Sequence, residues 1–459
     1  MTLSAEMRLG AGSNVPPVDG EALRYIPFGF ALRHDVLAYA IEGGELFVAV
    51  ADDEPATIDR VRLLTGMRVV ATRFAREAIA SAIASAYDDP ANPQGRDENA
   101  AAPAVRIVDE LHASAASGRA SDIHVEPSST GGRIRQRVDG SLGPVRALDK
   151  NLYSQVVARI KVLAELDVAD RRQPQDGRYT FDAGGRSIDA RVSSISTIDG
   201  ERLVIRIFDS ARQRPRLDTL GMDSGVLHRC RTLIGAPSGF VVVCGPTGSG
   251  KTTTLYAALC DRASDREHLC AIEDPIEMRL DGIAQIQVNV RAGLTFASAL
   301  RAVLRQDPDV VMIGEIRDAE TAAVGVAAAL SGQLVLATMH SFDAVRAIER
   351  LTDLGIPRHA LAASLSGVLA QRLVRTLCEC VGASECARCR GSGFSGRTGI
   401  FECVVVDEAL REAIAAGASS AELRHIAEGD GGATLARDAF RHVMSGRTTA
   451  AEVARVIGE

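Results

Sequence analysis

No apolar run in this 459-residue chain approaches the roughly 18–20 residues that a membrane span requires. Residues 1–20 are small, polar and Pro/Gly-bearing, and they lack the apolar core of a signal peptide. Positive charge is not in excess either. The 52 Lys and Arg face 59 Asp and Glu, and the net charge of −7 argues against a generic nucleic-acid binder. No internal repeat is visible, so a solenoid is not indicated. These absences lead to the expectation of a cytoplasmic protein, or one held peripherally on the cytoplasmic face of a membrane. In such a reducing compartment, the clustering of four of the nine cysteines between Cys378 and Cys389 points to a metal rather than to disulfides. The length suits roughly three or four domains, and an apolar content of 46% is ample for their cores.

The chain divides by composition. Residues 1–22 read as a flexible tail and 23–88 as an α/β module that includes the strand pattern Glu45-Leu-Phe-Val-Ala-Val-Ala. Residues 89–103, rich in Pro, Asn, Asp and Gly, read as a linker. A second α/β segment follows over 104–212, with a helix from Ala104 to Ser117 and strands such as Ser187-Ile-Asp-Ala-Arg-Val-Ser and Arg202-Leu-Val-Ile-Arg-Ile-Phe. Residues 213–218, with Pro215, read as a hinge. Alternating strands and helices occupy 219–377, a cysteine-rich insert 378–394 and a helical part 395–459. Thr449-x-x-Glu452 before Val453 and Val456 predicts a capping box at the start of the last helix.

The strongest chemical signal is a phosphate loop. Gly245, Pro246, Thr247, Gly248, Ser249, Gly250, Lys251 and Thr252 fit G-x-x-x-x-G-K-[ST] at every position, and Thr253 continues it. The apolar run from Gly239 leads in, and a helical pattern with Leu255, Ala258 and Leu259 leads out. Backbone N–H groups in such a loop surround a phosphate, helped by the positive end of the following helix. Lys251 is expected on the β/γ-phosphates of a nucleoside triphosphate and the Thr252 hydroxyl on Mg²⁺.

Three further patterns carry acids or a histidine at the ends of apolar strands. Val310-Val-Met-Ile-Gly-Glu315 resembles a Walker B strand, with Gly314 at the usual Asp position and Glu315 after it. Ala271-Ile-Glu-Asp-Pro-Ile-Glu-Met278 sets Glu273, Asp274 and Glu277 around a proline, a rigid acidic turn suited to holding a water or a metal. Leu336-Ala-Thr-Met-His-Ser341 places His340 where it could sense a γ-phosphate. Taken singly, each is also compatible with a buried strand that ends in a solvated polar turn.

Together these elements resemble the secretion ATPases of the GspE/PulE class, the motors of type II secretion and type IV pilus assembly. The likeness extends to Gln371-Arg-Leu-Val-Arg-Thr-Leu-Cys378, Gly396-Arg-Thr-Gly-Ile-Phe-Glu402, Ala120-Ser-Asp-Ile-His-Val-Glu-Pro127, Gly200-Glu-Arg-Leu-Val-Ile-Arg206 and Ile26-Pro-Phe-Gly-Phe-Ala-Leu-Arg-His34. It covers the chain from about residue 22 to its end. The implied fold class is α/β: a RecA-like P-loop motor domain, two N-side α/β modules (the second PAS-like), a small tetracysteine insert and a helical C-terminal part.

The resemblance also implies roles. Glu277 becomes the catalytic base, Glu315 the Walker B carboxylate, and Glu273 and His340 neighbours of the reaction. Arginines surround the phosphates: Arg191 and Arg206 from the N-side domain, and Arg301, Arg305, Arg317 and Arg397 from the motor domain. Arg301 and Arg305 are four apart on a helical pattern that ends before Pro308, so they are expected to share a face. Arginine suits a phosphoryl transition state because its planar charge is permanent. Cys378, Cys380, Cys386 and Cys389 can satisfy a tetrahedral structural Zn²⁺. The family pattern is two C-x-x-C pairs across a long loop; here the first pair is C-x-C and the loop is five residues. A second histidine, which related motors often carry seven residues after the first, is replaced by Ala347. The implied cofactors are ATP, Mg²⁺ and Zn²⁺. The implied partners are other copies of the chain in a homohexamer, and the inner-membrane platform and anchor proteins of a type II secretion system, with no nucleic acid. Type IV pilus assembly is the neighbouring alternative, and a nucleic-acid translocase a distant one.

Overall fold

A computed structural model of the chain describes residues 7–9, 15–26, 28–51, 55–88, 103–117, 120–208, 214–380, 386, 388–429 and 434–458. The tail expected over 1–22 lies partly, and the linker expected over 89–103 almost wholly, outside the described residues. The chain forms two compact units, Met1–Ala211 and Arg212–Glu459.

The first unit contains two sheets. Strands β1 (Met7–Leu9), β2 (Val36–Glu42), β3 (Glu45–Val50) and β4 (Arg68–Arg73) pair in the order β1-β4-β3-β2. Helices α1 (Gly20–Leu23), α2 (Phe28–His34), α3 (Pro55–Thr65) and α4 (Arg76–Asp88) belong to the same module, whose core includes Ile26, Leu37, Leu46 and Ile79. After α5 (Pro103–Ser117) come β5 (Ala120–Ser128), β6 (Gly131–Val138), β7 (Ser141–Leu142), β8 (Arg146–Asp149), α6 (Lys150–Leu163), β9 (Gln175–Asp182), β10 (Ser187–Thr197) and β11 (Gly200–Phe208). The second sheet runs β7-β6-β5-β11-β10-β9, with β8 beside β6. The strand period of two explains its faces. Ile188, Ala190 and Val192 of β10 and Leu203, Ile205 and Ile207 of β11 enter the core with α5 and α6. Arg191, Arg202 and Arg206 alternate with them and take the other face.

The second unit is a seven-stranded sheet between helices. Its strands are β12 (Gly239–Cys244), β13 (Leu269–Glu273), β14 (Ala284–Gln287), β15 (Val310–Ile313), β16 (Leu334–Met339), β17 (Leu365–Leu377) and β18 (Phe394–Val405). They run in the order β14-β13-β15-β16-β12-β17-β18. All pairings are parallel except the edge hairpin of β17 and β18. Helices α7 (Ser224–Ile234), α8 (Lys251–Arg262), α9 (Phe296–Val303), α10 (Ala319–Leu330), α11 (Ala344–Asp353) and α12 (Arg358–Ser364) accompany the parallel strands. Helices α13 (Glu408–Ala416), α14 (Ser420–Glu428), α15 (Leu435–Met444) and α16 (Ala450–Ile457) follow the hairpin. Central parallel strands are covered on both faces and so read as unbroken apolar runs. In β12, Phe240, Val242 and Cys244 join one core cluster while Val241 and Val243 join the other. The segment expected to be helical over 395–459 thus begins with a strand, β18, which completes the sheet. No helix among the described residues is long and apolar enough to cross a membrane.

Thr449 caps α16 as expected: its hydroxyl accepts the Glu452 N–H at 3.1 Å. The box does not close, because the fully buried Glu452 carboxylate turns inward to Arg375 and Arg455 instead of reaching back to the cap.

Candidate active site

Ligands of open α/β sheets bind at the carboxyl ends of the parallel strands. The four sequence signals converge there. The phosphate loop follows β12, the acidic turn follows β13, Gly314 and Glu315 follow β15, and His340 follows β16. They surround a cleft of about 450 Å³ within the second unit, lined by Thr247, Gly248, Gly250, Lys251, Thr252, Thr253, Glu273, Glu277, Glu315, Arg317, His340 and Arg397.

The phosphate loop enters α8 through Gly250, which sits at the N-cap with φ 89°, a left-handed conformation that strongly favours glycine. The first turn of α8 leaves its N–H groups without helical partners. Lys251 folds over the loop, its Nζ donating to Gly245 O at 2.9 Å and to Pro246 O at 3.1 Å. Burial lowers the Lys251 pKa, and the Glu315 charge works in the opposite direction. Gln371 of β17 steadies the loop from the far side, donating from Nε2 to Ser249 O at 2.7 Å.

Glu315 is held at both oxygens: Arg317 Nη2 lies 2.6 Å from Oε2 and His340 Nε2 lies 2.9 Å from Oε1. The hydrogen bond to Glu315 raises the already high pKa of Arg317. The usual Walker B aspartate is excluded at position 314 by the backbone. A Cβ on Gly314 would stand 2.9 Å from Ile272 O and 3.3 Å from Glu273 Cα. The carboxylate therefore arrives one residue later, on Glu315.

Glu273 and Glu277 occupy different environments. Glu273 is buried, receives Gln285 Nε2 at 2.9 Å and is hydrogen-bonded by the Tyr256 hydroxyl. Burial raises its pKa. Tyr256 Oη also accepts the Glu277 N–H at 3.2 Å, so one phenol links the two glutamates. Glu277 itself is exposed on the cleft wall beyond the cis Asp274–Pro275 bond. Of the two, Glu277 is the more exposed carboxylate.

The remaining arginines are placed unevenly. Arg397, on β18, lines the cleft. Arg301 and Arg305 do not, and only Arg301 lies on a helix. Helix α9 ends at Val303, so Arg305 lies in the turn beyond it and folds back to donate to Arg301 O at 2.9 Å. Arg301 pairs with Glu320 at 2.7 Å. Arg191 and Arg206 lie in the first unit as register partners on β10 and β11. The Arg206 Nε donates to Asp122 at 3.2 Å, and the Arg191 guanidinium lies 4.4 Å from the Phe208 ring centre. Ala347, at the position of the expected second histidine, is fully buried in the core on α11. Sequence reading assigned no role to Thr338 or Phe296, which also line the cleft, or to Gln371, whose contact with the loop spans 122 positions. No local pattern carries such a contact.

The four cysteine sulfurs meet despite the C-x-C spacing and the short loop. All lie within 4.8 Å of one another, with Cys378–Cys386 at 3.8 Å and Cys380–Cys389 at 3.5 Å. A tetrahedral Zn²⁺ with bonds of about 2.3 Å spaces its sulfurs by about 3.8 Å. The donor set therefore fits zinc, at the point where the chain passes from β17 to β18.

Fold and cleft together define a P-loop ATPase. Residues 97–455 match the family model described as "Type II/IV secretion system protein", and residues 14–93 match the "MshEN domain" model. The chain is 49% identical to the type II secretion system protein HxcR of Pseudomonas aeruginosa over 363 residues, 77% of each chain. It is 38% identical to the type II secretion system protein E of Aeromonas hydrophila over 95% of this chain and 97% of that one. It is also 38% identical to the type IV pilus assembly ATPase PilB of Thermus thermophilus, over 95% of this chain and 55% of that one. The solved structure of the Legionella pneumophila ATPase DotB, 22% identical, shares the fold with a TM-score of 0.60 over 76% of this chain and 94% of that one. This chain belongs to the type II/IV secretion system protein family and is a secretion-system ATPase.

Proposed function

We propose that the chain hydrolyses ATP in this cleft as the homohexameric motor of a type II secretion system, assembling a pseudopilus from the cytoplasmic face of the inner membrane. One observation carries the reading: a complete phosphate loop, Glu277 and the Arg317–Glu315–His340 group share one cleft in a chain whose close relatives are named for type II secretion.

ATP would lie with its β- and γ-phosphates against the loop amides and Lys251. Mg²⁺, held through the Thr252 hydroxyl, would supply neutralising charge to the phosphates. Glu277 would orient the attacking water and accept its proton. Glu315 and His340 would stand beside the γ-phosphate, with Glu273 fixing the acidic turn from beneath. Arg317 and Arg397 would meet charge that develops on the phosphoryl oxygens. Arg301 and Arg305, which do not line the chain's own cleft, would serve a neighbouring subunit. Zn²⁺ on the four cysteines would brace the β17–β18 hairpin and so help place Arg397. The partners would be the inner-membrane platform and the cytoplasmic anchor proteins of the secretion system.

The test is complementation of a strain deleted for this gene. The intact chain should restore export of a type II substrate to the medium, and Lys251→Ala should not. Restored pili with unchanged secretion would instead favour pilus assembly, the second reading, which the likeness to PilB along 95% of the chain keeps in view.

A further inference from the structure

Two adjacent residues of β17 grip two loops of the cleft that are far apart in sequence. Successive strand residues point to opposite faces. Gln371, almost fully buried, reaches the phosphate loop at Ser249 O, 2.7 Å away. Its own carbonyl lies so close to the loop that a Cβ on Gly245 would be 2.5 Å from it. Arg372 turns the other way. Its Nη1 donates to Gln371 O at 2.9 Å and its Nη2 to Phe342 O at 2.6 Å. Phe342 lies two residues beyond His340. The neighbouring strand completes the grip, because Glu402 of β18 accepts the Ala344 N–H at 3.1 Å. Arg372 and Glu402 thus hold the turn after His340 at a carbonyl and an amide on either side of Asp343.

Arg372 is only 6% exposed, and both of these hydrogen bonds go to backbone carbonyls. Burying a guanidinium is costly, and burial indeed lowers its pKa. An apolar residue would fill this position more cheaply if packing were its only task. The cation instead joins the strand that anchors the phosphate loop to the turn that presents His340 to Glu315.

We infer that Arg372 is a positioning residue for ATP hydrolysis, fixing His340 relative to the phosphate loop through the Phe342 and Gln371 carbonyls. The inference rests on the ATPase reading above. It predicts a specific energetic coupling: once His340 is removed, the positioning of its turn should matter little.

The experiment is a double-mutant cycle of Arg372→Met and His340→Ala in the full chain, read as kcat and KM for MgATP and as ADP affinity. Arg372→Met should lower kcat about tenfold while KM and ADP affinity change less than about threefold, the pattern of a transition-state contact. In the His340→Ala background the same substitution should cost less than about twofold. Arg372→Lys keeps the charge and stem but not the planar two-donor fork. It should show the same coupling at smaller size, and it carries the test if the Met variant does not fold. Equal losses in both backgrounds, or a loss confined to KM, would overturn the inference while leaving the ATPase reading intact. A wild-type chain without ATP turnover would overturn both.

Discussion

Glu452→Gln should destabilise the second unit, and the loss should fade as pH falls. The Glu452 side chain is fully buried between two arginines. Its Oε1 accepts the Arg375 N–H at 3.0 Å and Arg455 Nη2 at 2.6 Å, and its Oε2 accepts Arg375 Nη2 at 2.6 Å and Arg455 Nε at 2.8 Å. Burial alone would raise its pKa, but these hydrogen bonds pull it from 4.5 down to about 2. A depressed carboxylate contributes stability that is present above its unfolded pKa and lost as pH falls through its folded one. Lowering the pKa from 4.5 to about 2 would be worth about 3.4 kcal/mol at pH 7, and screening of the half-exposed Arg455 reduces this to about 2 kcal/mol. The assay is urea unfolding followed by circular dichroism, with wild type and variant compared at each pH. The gap should be about 2 kcal/mol at pH 7, shrink by roughly a quarter at pH 4 and by more than half at pH 3. A gap that is constant from pH 7 to pH 3, or absent throughout, would refute the ionic account of this tie between α16 and β17.

Three other outcomes follow from the same geometry. Gly314→Ala should lower stability by about 1–3 kcal/mol in a thermal melt, because its Cβ would press on the β13 backbone, and Gly314→Asp should not raise ATPase activity. Protein purified without chelator should contain about one Zn per chain by elemental analysis, and Cys386→Ser/Cys389→Ser should lose it while protease sensitivity rises in residues 378–394 before the motor core is affected. If arginines act across subunits, specific activity should rise with protein concentration, and mixing Lys251→Ala with Arg317→Ala chains should recover some activity; a concentration-independent activity from an established monomer would exclude shared sites.

The parts of this molecule that are set by local spacing were readable from the sequence. The phosphate loop needs a glycine where φ is positive and a lysine beside it, and Gly250-Lys251 states both. The apolar runs of β12, β13, β15 and β16 declare strands covered on both faces. The cysteines declare a four-sulfur cluster, although C-x-C did not reveal that the sulfurs would meet. What failed depended on contacts between distant segments. Nothing near Gly314 announces that the Ile272 carbonyl leaves no room for an aspartate. Arg305 looked helical by spacing, but α9 stops two residues earlier and the guanidinium caps its end. Glu452 matched a capping box, and an ion pair with Arg375, 77 positions away, won the competition for its carboxylate.

The central claim, ATP hydrolysis with Glu277 facing the water, is tested most directly by Glu277→Gln. Turnover of MgATP and equilibrium binding of ATP should be measured on the same preparation. The expected result is ATP binding close to wild type with turnover reduced by about two orders of magnitude or more, the scale of a lost general base. Near-normal turnover in the variant would contradict the account and move the role to Glu273 or Glu315.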